Sequence, residues 1–318
     1  MSLKVFITGI SGLLGSTLAL RAREQSCVTG AYLTHPIHPE GVETLRVDVR
    51  SAASVRETLT RIRPDVVVHT AGLTNVEACE TDRELARQLN VTATREVACA
   101  ARGIGARLVH ISTDHLFNGT RAWWTEVDRP SPVNVYAGTK WEAEQAVLEE
   151  CPDALIIRTN FYGWGTPTRK SFSDWVLESL QAGQPLTMFH DVFFTPIITN
   201  DLADLILALL ACGATGVFHV AGKERVSKYE FAVRLAEVFD MPVADIRAVS
   251  VAGFPFKAAR PRDMSLSSQK VEGVLEVRMP GLLHGLERLR KLWEAGWPRS
   301  LQATFQDVAP PIGSQSAR

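Results

Sequence analysis

Short apolar runs alternate with helix-length stretches through the first half of this chain, and that rhythm permits few folds. Val5–Thr8, Cys27–Leu33, Asp65–His69, Arg107–Ile111 and Ala154–Arg158 read as strands. The middle of one, Val66-Val67-Val68, is wholly apolar, as a sheet covered on both faces requires. Helices are expected over Leu13–Glu24 and from the capping-box pattern Ser54-Val55-Arg56-Glu57 to Pro64. A single long helix is expected over about Arg83–Arg102, stopped by Gly103 and Gly105, and another over Pro132–Glu150. This spacing predicts an α/β fold: a doubly wound parallel (Rossmann) sheet with right-handed crossovers.

The rhythm fails after Phe161. A helix is expected near Phe172–Gln181, one capped by Asn200-Asp201 through Leu210, and a last sheet strand at Gly216–Val220. Ser227 opens another helix, to about Asp240, and Pro280 opens an amphipathic one with Leu282, Leu286, Leu289 and Trp293 on one face. The expected organisation is a dinucleotide-binding domain over 1–160 plus about 196–221, with a smaller discontinuous substrate lobe over about 161–195 plus 222–300. Residues 308–318, rich in Pro, Gly and Ser, read as a flexible tail.

Bulk properties narrow the function classes. A net charge of −1 over 318 residues offers no basic footprint for nucleic acid or an anionic membrane. The most apolar window, Leu202–Cys212, is too short to span a bilayer and carries Asp204. Without a signal-peptide pattern, and with five scattered cysteines lacking CxxC spacing, the expectation is a cytoplasmic protein with reduced thiols. His35 and His38 are flanked by Pro36 and Pro39 and read as loop, and no metal is expected.

Gly9, Gly12 and Gly15 follow the first strand directly, with Leu13 and Leu14 between the last two. A glycine turn there lets a pyrophosphate approach the backbone and face the amides and dipole of the next helix. The spacing, G-x-x-G-x-x-G, is one residue wider than the common dinucleotide fingerprint. The second strand ends Leu33-Thr34-His35 with no carboxylate for the ribose hydroxyls, which favours NADP(H) over NAD(H), with Thr34 and His35 toward the 2′-phosphate. Plain loop residues are the other reading of that pair. Asp48-Val49 faces the adenine, or Asp48 merely caps the helix near Ser51.

Tyr136 and Lys140 stand at i and i+4, on one helix face. A lysine ammonium near the phenol would lower its pKa toward the working range of an acid–base group. Tyr136 would then protonate a carbonyl oxygen as hydride reaches the carbon, with Thr113 donating a hydrogen bond to that oxygen. Trp123 and Trp124 read as base- or sugar-stacking residues or as packing beneath a loop. Arg158, Arg260 and Arg262 are candidate diphosphate clamps, and Phe193, Phe194 and Thr195 sit where the two lobes should meet.

The order Gly9…Gly12…Gly15, Ser112-Thr113-Asp114, Tyr136…Lys140 resembles the extended short-chain dehydrogenase/reductases. More narrowly, it resembles the dTDP-4-dehydrorhamnose reductase branch. The segments His69-Thr70-Ala71-Gly72-Leu73-Thr74-Asn75-Val76-Glu77, Leu89-Asn90-Val91, Ile111–Gly119, Ser131–Tyr136 and Arg260–Leu266 carry that likeness, to about Trp297. The resemblance implies a catalytic set of Thr113, Tyr136 and Lys140, with Lys140 also on the nicotinamide ribose. It implies cofactor contacts from the three glycines, Ser112, Ala71 and Gly72, and substrate contacts from Thr113, Asp114, Tyr136 and Arg260. Two positions depart from the family pattern: His115 replaces a usual Tyr, and Leu13 a frequent Gln. The implied substrate is a nucleotide-linked keto-deoxysugar, and a homodimer is compatible. A nucleotide-sugar epimerase or dehydratase of the same fold, with Asp114, Glu126 and Asp128 as candidate extra acids or bases, is one alternative. A non-catalytic NADP-binding regulator resembling the regulatory subunit of methionine adenosyltransferase is another.

Overall fold

The computed structural model describes residues 2–305. The expected tail from 308 lies outside them. In chain order the elements begin β1 (Leu3–Thr8), α1 (Leu13–Ala22), β2 (Ser26–Tyr32), β3 (Glu43–Arg46), α2 (Ala52–Ile62) and β4 (Val66–His69). There follow α3 (Val76–Thr81), α4 (Arg83–Arg87), α5 (Ala93–Gly103), β5 (Arg107–Ile111), α6 (Val135–Glu150) and β6 (Leu155–Arg158). The second half contains β7 (Phe161–Tyr162), α7 (Phe172–Gln181), β8 (Leu186–Phe189), β9 (Phe193–Phe194), β10 (Ile197–Ile198), α8 (Thr199–Ala211), β11 (Gly216–His219), β12 (Val226–Ser227), α9 (Lys228–Val238), β13 (Ile246–Val249), α10 (Gln269–Leu275), α11 (Leu282–Glu294) and α12 (Trp297–Ala303).

Seven strands form one sheet in the order β11-β6-β5-β4-β1-β2-β3, every pairing parallel. The α/β reading and the strand at Gly216 are borne out. The sheet buries an apolar layer on each face. One layer joins Val5, Ile7 and Val68 to Leu18 and Ile206; the other joins Phe6, Val67 and Leu108 to Val97 and Leu59. A separate cluster packs α7, β8, α9, β13 and α11 through Leu177, Leu186, Phe231, Leu235, Ile246 and Leu286. Trp293, expected on the buried face of α11, is 51% exposed because it lies at the last turn, past the end of that core.

Three departures from expectation bear on the site. Helix α2 starts at Ala52, because Ser51 rather than Ser54 accepts the capping bond, from Ser54 N. The edge strand β3 was not expected, since Glu43-Thr44-Leu45-Arg46 has no apolar run. The long helix expected over Arg83–Arg102 is broken into α4, a π-helical turn over Gln88–Thr92, and α5. Asn90 sits in that wide turn. Its carboxamide oxygen accepts from Leu73 N at 2.8 Å, and its Nδ2 donates to Leu73 O and to Thr139 Oγ1, both at 3.0 Å. The π turn thereby ties three segments together below the sheet's carboxyl edge, a use typical of such turns near functional sites.

Candidate active site

Strand order reverses at β1, whose neighbours are β2 on one side and β4 on the other. Ligands of open parallel sheets bind outside the carboxyl ends of the strands at such a switch point. The glycine turn is there. Gly9 adopts φ +70°, which favours glycine, and a Cβ on it would lie 2.9 Å from Ala71 N. A Cβ on Gly15 would lie 2.3 Å from Gly9 O, so the helix can approach the turn only as glycine. Gly12 N donates to Gly9 O at 2.9 Å, and no side chain caps α1 and no acidic residue occupies its first turn. An uncapped helix start above a glycine cradle suits a pyrophosphate, and the residues present fit one.

Farther along the same edge, Asn134 starts α6 by accepting from Ala137 N at 2.9 Å. That cap sets Tyr136 and Lys140 into the protein, 8% and 7% exposed. Thr113 and Asp114 follow β5, both buried. Thr113 Oγ1 donates to Asp114 Oδ1 at 3.2 Å, and Asn160 Nδ2 donates to Asp114 Oδ2 at 2.7 Å. Burial pushes the Asp114 carboxyl up to about 6, against the pull of Lys228, Asn160 and Thr113. Ser112 lies with them, its hydroxyl without a partner among the described residues. The structure thus brings Ser112, Thr113, Asp114, Tyr136 and Lys140 to one place.

The expected electrostatics of Tyr136 are corrected. Burial pushes its phenol up to about 12, Asp114 and Cys79 push the same way, and hydrogen bonding to Thr113 and the charge of Arg169 oppose them. The Lys140 ammonium is engaged elsewhere. Nζ donates to Ile111 O at 2.8 Å and lies 3.1 Å from His110 Nε2. Burial lowers Lys140 to about 8, with Glu144 partly compensating. His115 stands edge-on to Tyr136, centroids 5.6 Å apart. Burial, then Lys228 and Arg260, keep its imidazole neutral.

Several other candidates are reassigned. Arg158 is 2% exposed and grips Glu144 through Nε and Nη2 at 3.0 and 2.7 Å, so it is a core ion pair and no diphosphate clamp. Arg260 reaches the site, but its Nη2 is held by Glu77 at 2.7 Å and its guanidinium lies over Phe256. Arg262 is exposed, and its carbonyl accepts from Phe193 N. Trp124 is core, stacked 4.6 Å from Phe117, while Trp123 lines a separate cavity of about 470 Å³ with Lys223, Gln269 and Glu272. Phe194 and Thr195 are packing residues, with Thr195 Oγ1 accepting from Leu266 N.

At the other end of the crevice, Thr34 and Asp48 line a cavity of about 370 Å³ with Leu33, Arg46 and Arg50. Asp48 is bound by Arg50 at 2.6 Å and held below the usual carboxylate range by that contact. Its capping role is overturned, since Ser51 caps α2. Val49 packs against the core beneath, and His35 is exposed. Arg46 and Arg50 were not foreseen: β3 is not visible as a strand, so nothing in the sequence put them at its end. Lys228, Asn160 and Arg169 were missed for related reasons. Position at the end of β6 was a usable signal for Asn160, whereas Lys228 and Arg169 arrive by contacts with segments far away in the chain. Arg169 Nη2 meets Thr74 Oγ1, and Thr166 Oγ1 donates to Ser11 O at 3.2 Å, so the loop after β7 crosses the glycine turn.

A parallel sheet with a glycine cradle at its switch point, and a buried hydroxyl–phenol–ammonium group beside it, define a Rossmann-type dinucleotide-binding α/β protein. The chain is matched over residues 3–292 by the family model described as RmlD substrate binding domain, and it belongs to that family. It is 34% identical over 295 residues to the probable low-salt glycan biosynthesis reductase Agl14 of Haloferax volcanii, covering 89% of this chain and 96% of the relative. It is 30% identical to subunit beta of mouse methionine adenosyltransferase 2, covering 85% and 82%. Among solved structures it is similar to dTDP-4-dehydrorhamnose reductase from Bacillus anthracis in complex with NADP, with TM-score 0.82, 28% identity, and coverage of 92% of this chain and 99% of that one. No helix among the described residues is long and apolar enough to cross a membrane.

Proposed function

We propose that the protein reduces a keto group on a nucleotide-linked deoxysugar with a nicotinamide cofactor, Tyr136 acting as general acid. The glycine cradle, Ala71, Gly72 and Ser112 would hold the cofactor, which when bound supplies hydride. Lys140 would serve its ribose side. The observation that carries the reading is the placement of Tyr136: buried with Thr113 and Asp114 at the same edge of the sheet as the glycine cradle, with burial raising its phenol. A phenol in that state gives up a proton only to a stronger base, such as the alkoxide oxygen that forms as a carbonyl is reduced. Thr113, hydrogen-bonded at the same place, would orient that oxygen. The two-lobe division expected from the sequence fits this use, with residues 161–195 and 222–300 as the lobe that would cover the cleft.

The epimerase or dehydratase alternative begins with Tyr136 as a base, which a raised phenol opposes. Two of its three candidate acids are also committed elsewhere. Glu126 Oε1 accepts from His219 N at 2.8 Å, and Asp128 accepts from Thr125 N at 2.8 Å. The regulatory reading draws support from the methionine adenosyltransferase 2 subunit beta relatives. The deciding experiment mixes the protein and NADPH with dTDP- and GDP-linked 4-keto-6-deoxysugars and follows reduced-nicotinamide absorbance. Oxidation is expected; sugar conversion without net oxidation, or tight binding without turnover, would overturn the reading.

For the cofactor, the pair Arg46 and Arg50 supports NADP(H) over NAD(H). The two guanidiniums stand at the carboxyl ends of β2 and β3, where an NAD-type site presents a carboxylate, and Arg50 neutralises the nearest one, Asp48. Replacing both with Ala is expected to weaken NADPH binding about 10- to 100-fold, as loss of charge-assisted phosphate contacts does, and to leave NADH nearly unchanged. Titration of cofactor fluorescence measures both. Equal losses for the two cofactors would remove the assignment.

A further inference from the structure

Two buried histidines that the proposed chemistry does not use stand side by side: His69 on β4 and His110 on β5, ring centroids 5.6 Å apart. Their hydrogen bonds locate the protons by elimination. Thr94 Oγ1 donates to Asn90 O at 2.7 Å, so toward His69 Nε2, 3.0 Å away, it accepts. His69 Nδ1 is then the acceptor for Thr8 Oγ1 at 2.8 Å. That imidazole is neutral and satisfied on both sides.

His110 is built differently. Its Nε2 faces Lys140 Nζ at 3.1 Å, and its Nδ1 is buried with no partner among the described residues. An imidazole accepts at Nε2 only with its proton on Nδ1. The core therefore leaves a buried N–H unpaired, a costly arrangement, in exchange for the contact with Lys140. The ammonium has three N–H groups; Ile111 O and His110 Nε2 take two, and one is left over. The titratable groups facing Lys140 are His110, with His69 next to it, and Glu144 one turn along α6, which is bound by Arg158.

We propose that His110 is the positioning residue for Lys140: a neutral acceptor that keeps the ammonium charged and fixed in a dry core, with one N–H free for the cofactor. The inference rests on the reading of Lys140 as the ribose-side cation, and its test needs neither cofactor nor substrate. The full chain, labelled with ¹³C-lysine, is titrated by NMR, and the Lys140 Cε signal is assigned by its loss in Lys140→Arg. A midpoint near 8 is expected in the parent protein. His110→Leu, which keeps bulk and removes the acceptor, should lower that midpoint by about one unit or more. His110→Gln, whose amide oxygen can accept, should restore most of the difference. An unchanged midpoint in the Leu variant, or a Gln variant as low as Leu, would overturn the proposal. If the Leu variant does not fold, His110→Met gives the same comparison. A normal shift in a protein inert toward every keto-sugar would discard the proposed function and keep this inference; turnover without the shift would discard this inference alone.

Discussion

Tyr136→Phe is expected to bind nicotinamide cofactor like the parent protein and to lose about 10²- to 10⁴-fold in turnover, the range a positioned general acid supplies. The change removes one oxygen from a ring that is 8% exposed and packed with Val76, Cys79, Ala86 and Ala258, so the helix and its cap persist. The phenol is pushed up to about 12, so the parent rate should show no ionisation of Tyr136 across pH 6 to 9. Steady-state kinetics with saturating NADPH, paired with cofactor titration, measures both parts. A Tyr136→Phe variant turning over at the parent rate would remove Tyr136 from the chemistry. A matched loss of cofactor binding would instead make it a binding residue.

Acidification is expected to unfold the protein, with onset below about pH 6.5 and completion above about pH 4. His69, His110 and His219 are essentially inaccessible to solvent, and burial is the largest cause lowering each of them, to about 3 for His69 and His219 and well below the ordinary value for His110. The unfolded chain binds protons at an ordinary histidine pKa near ~6.5, so between that pH and the folded pKa it binds more protons than the native state. Stability therefore falls as pH falls through this window. At pH 5 His69, His219 and His115, which burial likewise lowers to about 3, each cost about 2 kcal/mol, or about 6 kcal/mol for these three, and His110 acts in the same direction. Asp114 works in the opposite direction. Its carboxyl is raised, so the folded state takes up a proton first on acidification and regains about 1 kcal/mol by pH 5. The net, about 5 kcal/mol, approaches the whole stability of an ordinary domain. Circular dichroism between pH 7.5 and 3.5 reads the transition. His69→Asn removes one titrating group and should move the midpoint to lower pH; an unmoved midpoint would refute the attribution.

The fold was largely legible because a parallel sheet buried on both faces writes itself into the chain as apolar runs such as Val66-Val67-Val68, with helix-length stretches between them. The glycine turn was legible for the same local reason: close backbone approach at Gly9 and Gly15 tolerates no side chain. Edge strand β3 was not, since half its surface is solvated and its composition carries no pattern. The break in the helix around Asn90 was invisible because it depends on carboxamide contacts with Leu73 and Thr139, seventeen and forty-nine residues away.

What the residue order determined unaided was which groups share a helix face or a turn: Tyr136 with Lys140, Thr113 with Asp114, the three glycines with one another. The tertiary structure decided what each group is free to do. It turned the Lys140 ammonium to Ile111 and His110 in place of Tyr136, committed Arg158 to Glu144, and set Arg46 and Arg50 beside Thr34. The physical reason is range. Helix periodicity and backbone sterics act over a few residues and can be read along the chain, whereas burial and charge pairing depend on which distant segments displace water from around a group.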